Sequence, residues 1–189
     1  MRKVEVDWVN KEHPVFTTYL NLSSEELKDL KEKILKYREE NPESAETNVK
    51  AWHSDYKTWH RTRCFADINK TIMNACDEII SSWNNNKEKF KLFDMWEIMY
   101  DVGDYTLNHN HHPTHYSCCY YIDVEKDCSP IKFPPDLEIF PENDMLVVFS
   151  GDVYHEVPPT RGKRMLIALN LDYPRVTRPS NAPKSFSYQ

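Results

Sequence analysis

Apolar residues recur along this chain with two different spacings. Between Ser23 and Asn41 the spacing is helical, with Leu27, Leu30, Ile34 and Tyr37 on one face and Lys, Glu and Asp on the other. Ser23 is placed to cap this helix, Glu26 completes a capping box, Leu22 is set to staple onto Leu27, and Pro42 discourages continuation. The charge run KDLKEKILKYREEN reads as a solvated face with i,i+4 pairs. A second helix, about Phe65 to Trp83, gathers Phe65, Ile68, Ile72, Ala75, Cys76, Ile79, Ile80 and Trp83 on one broad face, so it is the more deeply buried of the two.

From Lys91 onward the period changes to two, and strand follows strand: FDMWEIMYDV, the histidine-rich stretch, YSCCYYIDV, IKF, LEIF, DMLVVFS, VYHEV and RMLIALNLDY. Helices followed by many antiparallel strands predict an α+β fold. VEVDWV and FTTYLNL near the start also read as strands, whereas residues 42–64 follow neither period and are expected to form a long loop or irregular strand over the core. The last strand sorts Arg164, Leu166, Ala168, Asn170 and Asp172 onto one face and Met165, Ile167, Leu169 and Leu171 onto the other. The wholly apolar face is expected to meet the helices, and the mixed face to line an interior that holds something polar. One domain is expected over residues 1–173, with helices in about 23–85 and strands in about 91–173, followed by a polar, Pro-rich tail over 174–189.

Composition excludes several classes. A chain of 189 residues buries a sizeable core without disulfides. The five cysteines, 64, 76, 118, 119 and 128, are odd in number and lack CxxC spacing, so reduced structural thiols are expected. No apolar run is long enough to cross a bilayer and the N-terminus lacks the apolar centre of a secretory signal, which predicts a cytoplasmic protein without a membrane partner. The formal net charge of -6 speaks against nucleic acid as the main partner.

The candidate chemistry lies in YTLNHNHHPTHYSCCYY, residues 105–121, which holds half of the chain's 8 histidines at the edge of a β-prone segment. Only residues two apart share a face of a strand, which selects His109 and His111 as a pair and turns His112 away. The only later histidine outside the cluster, His155, supplies a third ligand to a candidate metal site. His112 and His115 read as supporting or surface groups, and His13, His53 and His60 as structural.

The H-x-H, the following Ser117 to Tyr121, and then His155, Val157, Pro159, Gly162, Arg164, Ile167 and Asn170 resemble the motif order of the iron(II)- and 2-oxoglutarate-dependent oxygenases, in particular their small bacterial and phage branch. TNVKAWHSD resembles an upstream stretch of such proteins, so the resemblance spans roughly residues 47 to 173. It implies a double-stranded β-helix barrel of the jelly-roll or cupin type, with the helices packed on one sheet. It further implies Fe(II) held by His109, His111 and His155, with O2 and 2-oxoglutarate as cosubstrates and Arg164, Tyr121 and Asn170 as cosubstrate-binding residues. The planar guanidinium fork of an Arg suits the distal carboxylate of 2-oxoglutarate. The implied reaction hydroxylates a small molecule or a side chain and decarboxylates 2-oxoglutarate to succinate.

The chain departs from the usual facial triad, because His111 stands where a carboxylate is expected and the nearest acids are Asp104 and Asp123. Two other readings use the same barrel: a cupin-type dioxygenase or isomerase that does not use 2-oxoglutarate, and a non-enzymatic ligand-binding barrel. Neither the prime substrate nor the oligomeric state follows from these residues.

Overall fold

The computed structural model describes residues 3–45, 47–56 and 65–174. The expectations for the tail, for His60 and for part of the 42–64 segment fall outside them. Among the described residues, twelve strands and two helices follow in the order β1 (Glu5–Trp8), β2 (Pro14–Tyr19), α1 (Ser24–Glu40), β3 (Val49–Lys50), β4 (Trp52–His53), α2 (Ala66–Asn84), β5 (Lys91–Tyr100), β6 (Tyr105–His109), β7 (Tyr116–Val124), β8 (Ile131–Phe133), β9 (Leu137–Ile139), β10 (Met145–Ser150), β11 (His155–Val157) and β12 (Arg164–Asp172).

From β5 onward the chain passes back and forth between two antiparallel sheets. The larger has the order β1-β2-β10-β7-β12-β5-β4 and the smaller β3-β6-β11-β8-β9. This alternation makes a jelly-roll double-stranded β-helix. No ladder joins the two sheets among the described residues, so the expected barrel is a pair of facing sheets.

Strand alternation divides the core into two clusters. Met165, Ile167, Leu169 and Leu171 of β12 and Met95 of β5 pack under the helices. On the opposite faces of the same strands, Leu166 and Ala168 of β12 with Trp96, Ile98 and Tyr100 of β5 meet the smaller sheet. The two-faced pattern of the last strand is therefore used as its sequence indicates.

Helix α1 begins with the expected box: Ser23 Oγ accepts from Glu26 N at 3.2 Å, and Glu26 Oε2 accepts from Ser23 N at 2.8 Å. Leu30, Ile34 and Tyr37 form its buried face. Helix α2 buries Ile68, Ile72, Ala75, Cys76, Ile79 and Ile80. Trp83 differs from expectation, being 45% exposed. It lies towards the β1 edge of the sheet, where Trp8 and Phe16 meet its ring edge-on, each at 5.4 Å.

The irregular segment before α2 straddles the two sheets. β3 pairs with β6 of the smaller sheet, and two residues later β4 pairs with β5 of the larger. Ser54 fastens it further, since Ser54 N donates to Glu97 O at 3.0 Å and Ser54 Oγ to Glu97 Oε2 at 2.7 Å. Asn48 and His53 are thereby held at one open end of the sandwich. No described helix is long and apolar enough to cross a membrane.

Ile72 is fully buried between α2 and the sheet, so Ile72→Ala is expected to cost about 2–5 kcal/mol. Removing the α1 cap with Ser23→Ala is expected to cost only about 1 kcal/mol. Urea unfolding midpoints of the two variants check the order.

Candidate metal centre

His109 is the last residue of β6 and stands directly opposite His155, the first residue of β11. His111 lies beyond the end of β6, so it reaches the cluster from a turn and not by strand alternation. The turn is specified by backbone bonds: His111 N donates to Gly151 O at 2.7 Å, and Thr114 N donates to His111 O at 3.0 Å. Gly151 is required here, because a Cβ at that position would lie 2.0 Å from the Thr114 carbonyl oxygen. The loop after β10 thus presses on the turn that aims His111.

The three imidazoles converge, with one ligand atom of each lying within 4.8 Å of the others. His109 Nδ1 is 2.9 Å from Leu107 O and His155 Nδ1 is 3.2 Å from Val153 O. A carbonyl only accepts, so in both rings Nδ1 carries the proton and donates it, and Nε2 is left with its lone pair. Such a bond on the far nitrogen orients a metal-binding imidazole. Burial lowers the pKa of His109, pulls His111 down to about 3 with His109 contributing, and holds His155 well below the ordinary imidazole range. All three are therefore neutral near pH 7, the form that binds metal.

These donors suit a divalent ion of the imidazole-binding kind. Bonds of roughly 2.1 Å place nitrogens about 3–3.5 Å apart, so small ring rotations close the observed spacing. No carboxylate joins the cluster among the described residues. Asp123 pairs with Lys31 at 2.6 Å, and Asp104 closes a turn by accepting from Asp101 N at 2.8 Å.

His112, His115 and His53 are occupied elsewhere. His112 Nδ1 bonds Asp152 Oδ1 at 2.8 Å on the surface, and His115 pairs with Asp172. His53 is buried and stacks on Trp96 with ring centroids 5.8 Å apart.

A narrow inner cleft joins the three histidines to Arg164 and Tyr121. Arg164 is only 2% exposed, and its guanidinium carbon lies 4.3 Å from the centre of the Tyr100 ring and 5.8 Å from that of Tyr121. Nη1 donates to Ser129 O at 2.9 Å, while Nε and Nη2 have no partner among the described residues. A buried guanidinium in this state carries an unsatisfied requirement for an anion. Burial raises the phenol pKa of Tyr121, which therefore remains a neutral group beside that charge.

Asn170 lies in a second, outer cavity, where its Oδ1 accepts from Ser117 Oγ at 2.6 Å. It lies six positions along β12 from Arg164, roughly 20 Å of strand. The structure thus brings together His109, His111, His155, Arg164 and Tyr121 and sets Asn170 at the other end. The sequence reading did not single out Trp96, Asn48, Tyr100 or Thr106. Tyr100 Oη and Thr106 Oγ1 are 2.5 Å apart beside Arg164. For Trp96 and Tyr100 the available signal was the alternation of FDMWEIMYDV, which shows two faces without showing which is the interior.

No protein-family model matches the chain, and no curated protein matches it in sequence. Solved structures do. A viral collagen prolyl hydroxylase from Paramecium Bursaria Chlorella virus-1, in complex with 2OG, is 15% identical with a TM-score of 0.62, over 83% of this chain and 94% of that one. A Pseudomonas putida prolyl-4-hydroxylase is 18% identical with a TM-score of 0.62, over 85% and 93%. A Trichoplax adhaerens prolyl hydroxylase, in complex with a hypoxia inducible factor oxygen degradation domain peptide fragment, is 17% identical with a TM-score of 0.64, over 84% and 83%. At these identities the likeness establishes a common fold, the double-stranded β-helix already evident in the strand order.

His155→Ala removes one of three donors, and metal affinity is expected to fall at least about 100-fold, in line with the loss of a direct ligand. Fe(II) is expected to raise the melting temperature of the wild type, and in the variant that rise should disappear. His111→Asp, which supplies a carboxylate, is expected to tighten Fe(II) binding. Anaerobic metal titrations of the three proteins measure both effects.

Proposed function

We propose that the protein is a mononuclear Fe(II)- and 2-oxoglutarate-dependent dioxygenase that hydroxylates a C–H bond of a prime substrate. The observation that carries this reading is the inner cleft, in which three neutral imidazoles and one buried guanidinium without a carboxylate partner line the same space. His109, His111 and His155 would hold the metal, and Arg164 would receive the distal carboxylate of 2-oxoglutarate. When bound, the iron and 2-oxoglutarate supply the oxidising power by which substrate, O2 and 2-oxoglutarate become hydroxylated substrate, succinate and CO2.

The residues around the cleft have distinct tasks in this reading. Arg164 offers two unused donor nitrogens, enough for a two-point hold on a carboxylate. Tyr100 and Tyr121 flank the guanidinium with their rings and fix the plane in which it meets the ligand. Ile98, Ile131, Val157 and Leu166 keep the cleft dry, which strengthens every charge interaction made inside it. Leu107 and Val153 hold the protons of His109 and His155 on Nδ1, away from the metal side.

The fold supports the same reading, since the three similar proteins bear the name prolyl hydroxylase and one was solved with 2OG. A peptidyl proline is for that reason the first substrate class to offer. A location in the cytoplasm accords with the absence of a membrane-spanning helix among the described residues.

Anaerobic addition of Fe(II) and then 2-oxoglutarate to the whole protein is expected to produce the visible metal-to-ligand charge-transfer band of a chelated keto acid. In Arg164→Ala the 2-oxoglutarate needed for half-saturation should rise about 100-fold, the scale of losing one member of a buried charge pair. Firm iron binding without any band would transfer the site to the cupin-type reading, and absence of metal binding would leave a ligand-binding barrel.

A further inference from the structure

Among the described residues, β1, β4, β3 and β9 are the end strands of the two sheets. β3 and β4 have two residues each and β9 has three, whereas β1 has four. The chain already runs beside β2 at Lys3, whose carbonyl accepts from Thr18 Oγ1 at 2.7 Å. β1 pairs with β2 alone, so its other side carries no ladder among the described residues. Sheet edges are commonly blunted by a bulge, a proline or a lysine. β1 contains none of these, and its register runs unbroken from Glu5 opposite Thr17 to Trp8 opposite Pro14.

The two faces of β1 differ. Val6 stands opposite Phe16, a residue of the core under the helices, so Val4, Val6 and Trp8 lie on the face that carries α2. Between them and the flank of α2 runs an apolar groove of about 700 Å3, lined by Val4, Val6, Phe16, Ile79 and Trp83. Val6, Trp8 and Trp83 are each more than a third exposed. Apolar groups gathered at one unpaired sheet edge mark an interaction surface.

The charged face says what fits there. Lys3 Nζ lies 2.8 Å from Glu5 Oε1, and Asp7, on the same face, has no cation partner among the described residues. A second β1, laid antiparallel with its Lys3 opposite Asp7, gives each Asp7 a cation across a two-fold axis and sets Val4 opposite Val6 on the groove side. Glu5 then meets its own counterpart at the axis, with Lys3 of the other copy as a diagonal neighbour. A slip of two residues one way would set Glu5 against Asp7 at two places, and a slip the other way would leave Trp8 with nothing opposite. The backbone N–H and C=O groups of an antiparallel edge complement those of an identical edge, so one strand serves both copies.

We propose that the protein forms a two-fold dimer through β1, in which the larger sheets of two copies join edge to edge, Lys3 pairs with Asp7 of the other copy, and the two apolar grooves meet. None of the three histidines nor Arg164 lies on β1 or β2, so the dimer stands independently of the oxygenase reading.

Sedimentation equilibrium of the full chain tests this, with far-UV circular dichroism and a thermal transition to show that each variant folds. The wild type is expected to show a reversible monomer–dimer equilibrium with a dissociation constant of about 10 µM or lower. Val6→Lys, which sets a charge on the groove side of the edge, should raise that constant about ten-fold or more. Lys3→Glu sets like charges opposite each other at two symmetric places and should raise it roughly ten-fold. Adding Asp7→Lys to Lys3→Glu exchanges the two charges and should restore the wild-type constant to within about two-fold. Both charge positions lie at the surface, so this pair keeps the inference open to refutation even if Val6→Lys fails to fold. A wild type that stays monomeric up to about 100 µM overturns the inference and leaves the edge to a protein of another sequence. A dimer indifferent to Val6→Lys, or one that the charge exchange fails to restore, overturns it as well, because the contact would then lie elsewhere or in another register.

Discussion

The site depends on the register between β6 and β11. His109 and His155 are direct partners in that ladder, and a slip of one residue would turn one of the two rings to the opposite face. The ladder is short, so its register is fixed by what flanks it. β11 also pairs with β8 through Glu156 and Lys132, and β6 pairs with β3 through Val49 and Thr106. Val157, buried two residues after His155, anchors the same strand in the core between the sheets. The third ring does not belong to the ladder at all. His111 is aimed by a turn lying so close to Gly151 that a methyl group there would collide with it.

The larger sheet gives the site its length. β5 and β12 run side by side across the sandwich, and their inward residues pass from Tyr100 and Arg164 at one end, through Trp96 and Ala168, to Asp94 and Asn170 at the other. A cation and dry aromatic walls occupy the inner end, and carboxylate and amide groups the outer. The three histidines stand between these halves, so two ligands of different chemistry can approach them from opposite directions. The irregular segment through β3 and β4 completes the outer half, because it joins both sheets within a few residues. Its lack of helical or strand period follows from that task, since a chain crossing between two sheets repeats neither pattern.

Much of this was legible in the sequence because burial imposes periods. The capping box at Ser23 and Glu26, the two faces of β12 and the β-period after Lys91 all follow from local geometry. His155 was found by elimination, as the last histidine in the chain, and its ladder partner is indeed His109. His111 lies with the other two rings for a reason other than alternation along a strand: a turn aims it, and the Gly151 contact that shapes the turn is long-range and leaves no local pattern. Helical spacing puts Trp83 on the buried face. Spacing cannot show where a sheet ends, and the ring lies half exposed against Trp8 and Phe16. Trp96 and Asn48 remained unseen for a similar reason. What distinguishes them is an unpaired buried N–H, a property of tertiary surroundings that neither residue type nor spacing reveals.

The charges of the site carry a further consequence for the proposed chemistry. With three neutral imidazoles and Arg164, the residues lining the cleft carry one positive charge, and no carboxylate joins the histidines among the described residues. A divalent ion entering it makes the region strongly cationic in a low-dielectric setting, and that arrangement is costly alone. A dianion with one carboxylate at the metal and the other at Arg164 relieves both positive centres together. Metal and cosubstrate then favour each other's binding by the same factor, as linkage requires. A site with a carboxylate ligand has already neutralised part of the metal's charge and gains less from the anion. With His111 and no carboxylate in the cluster, the proposed chemistry would shift part of the metal's retention from the protein to the cosubstrate, so iron would be held most firmly when 2-oxoglutarate is present.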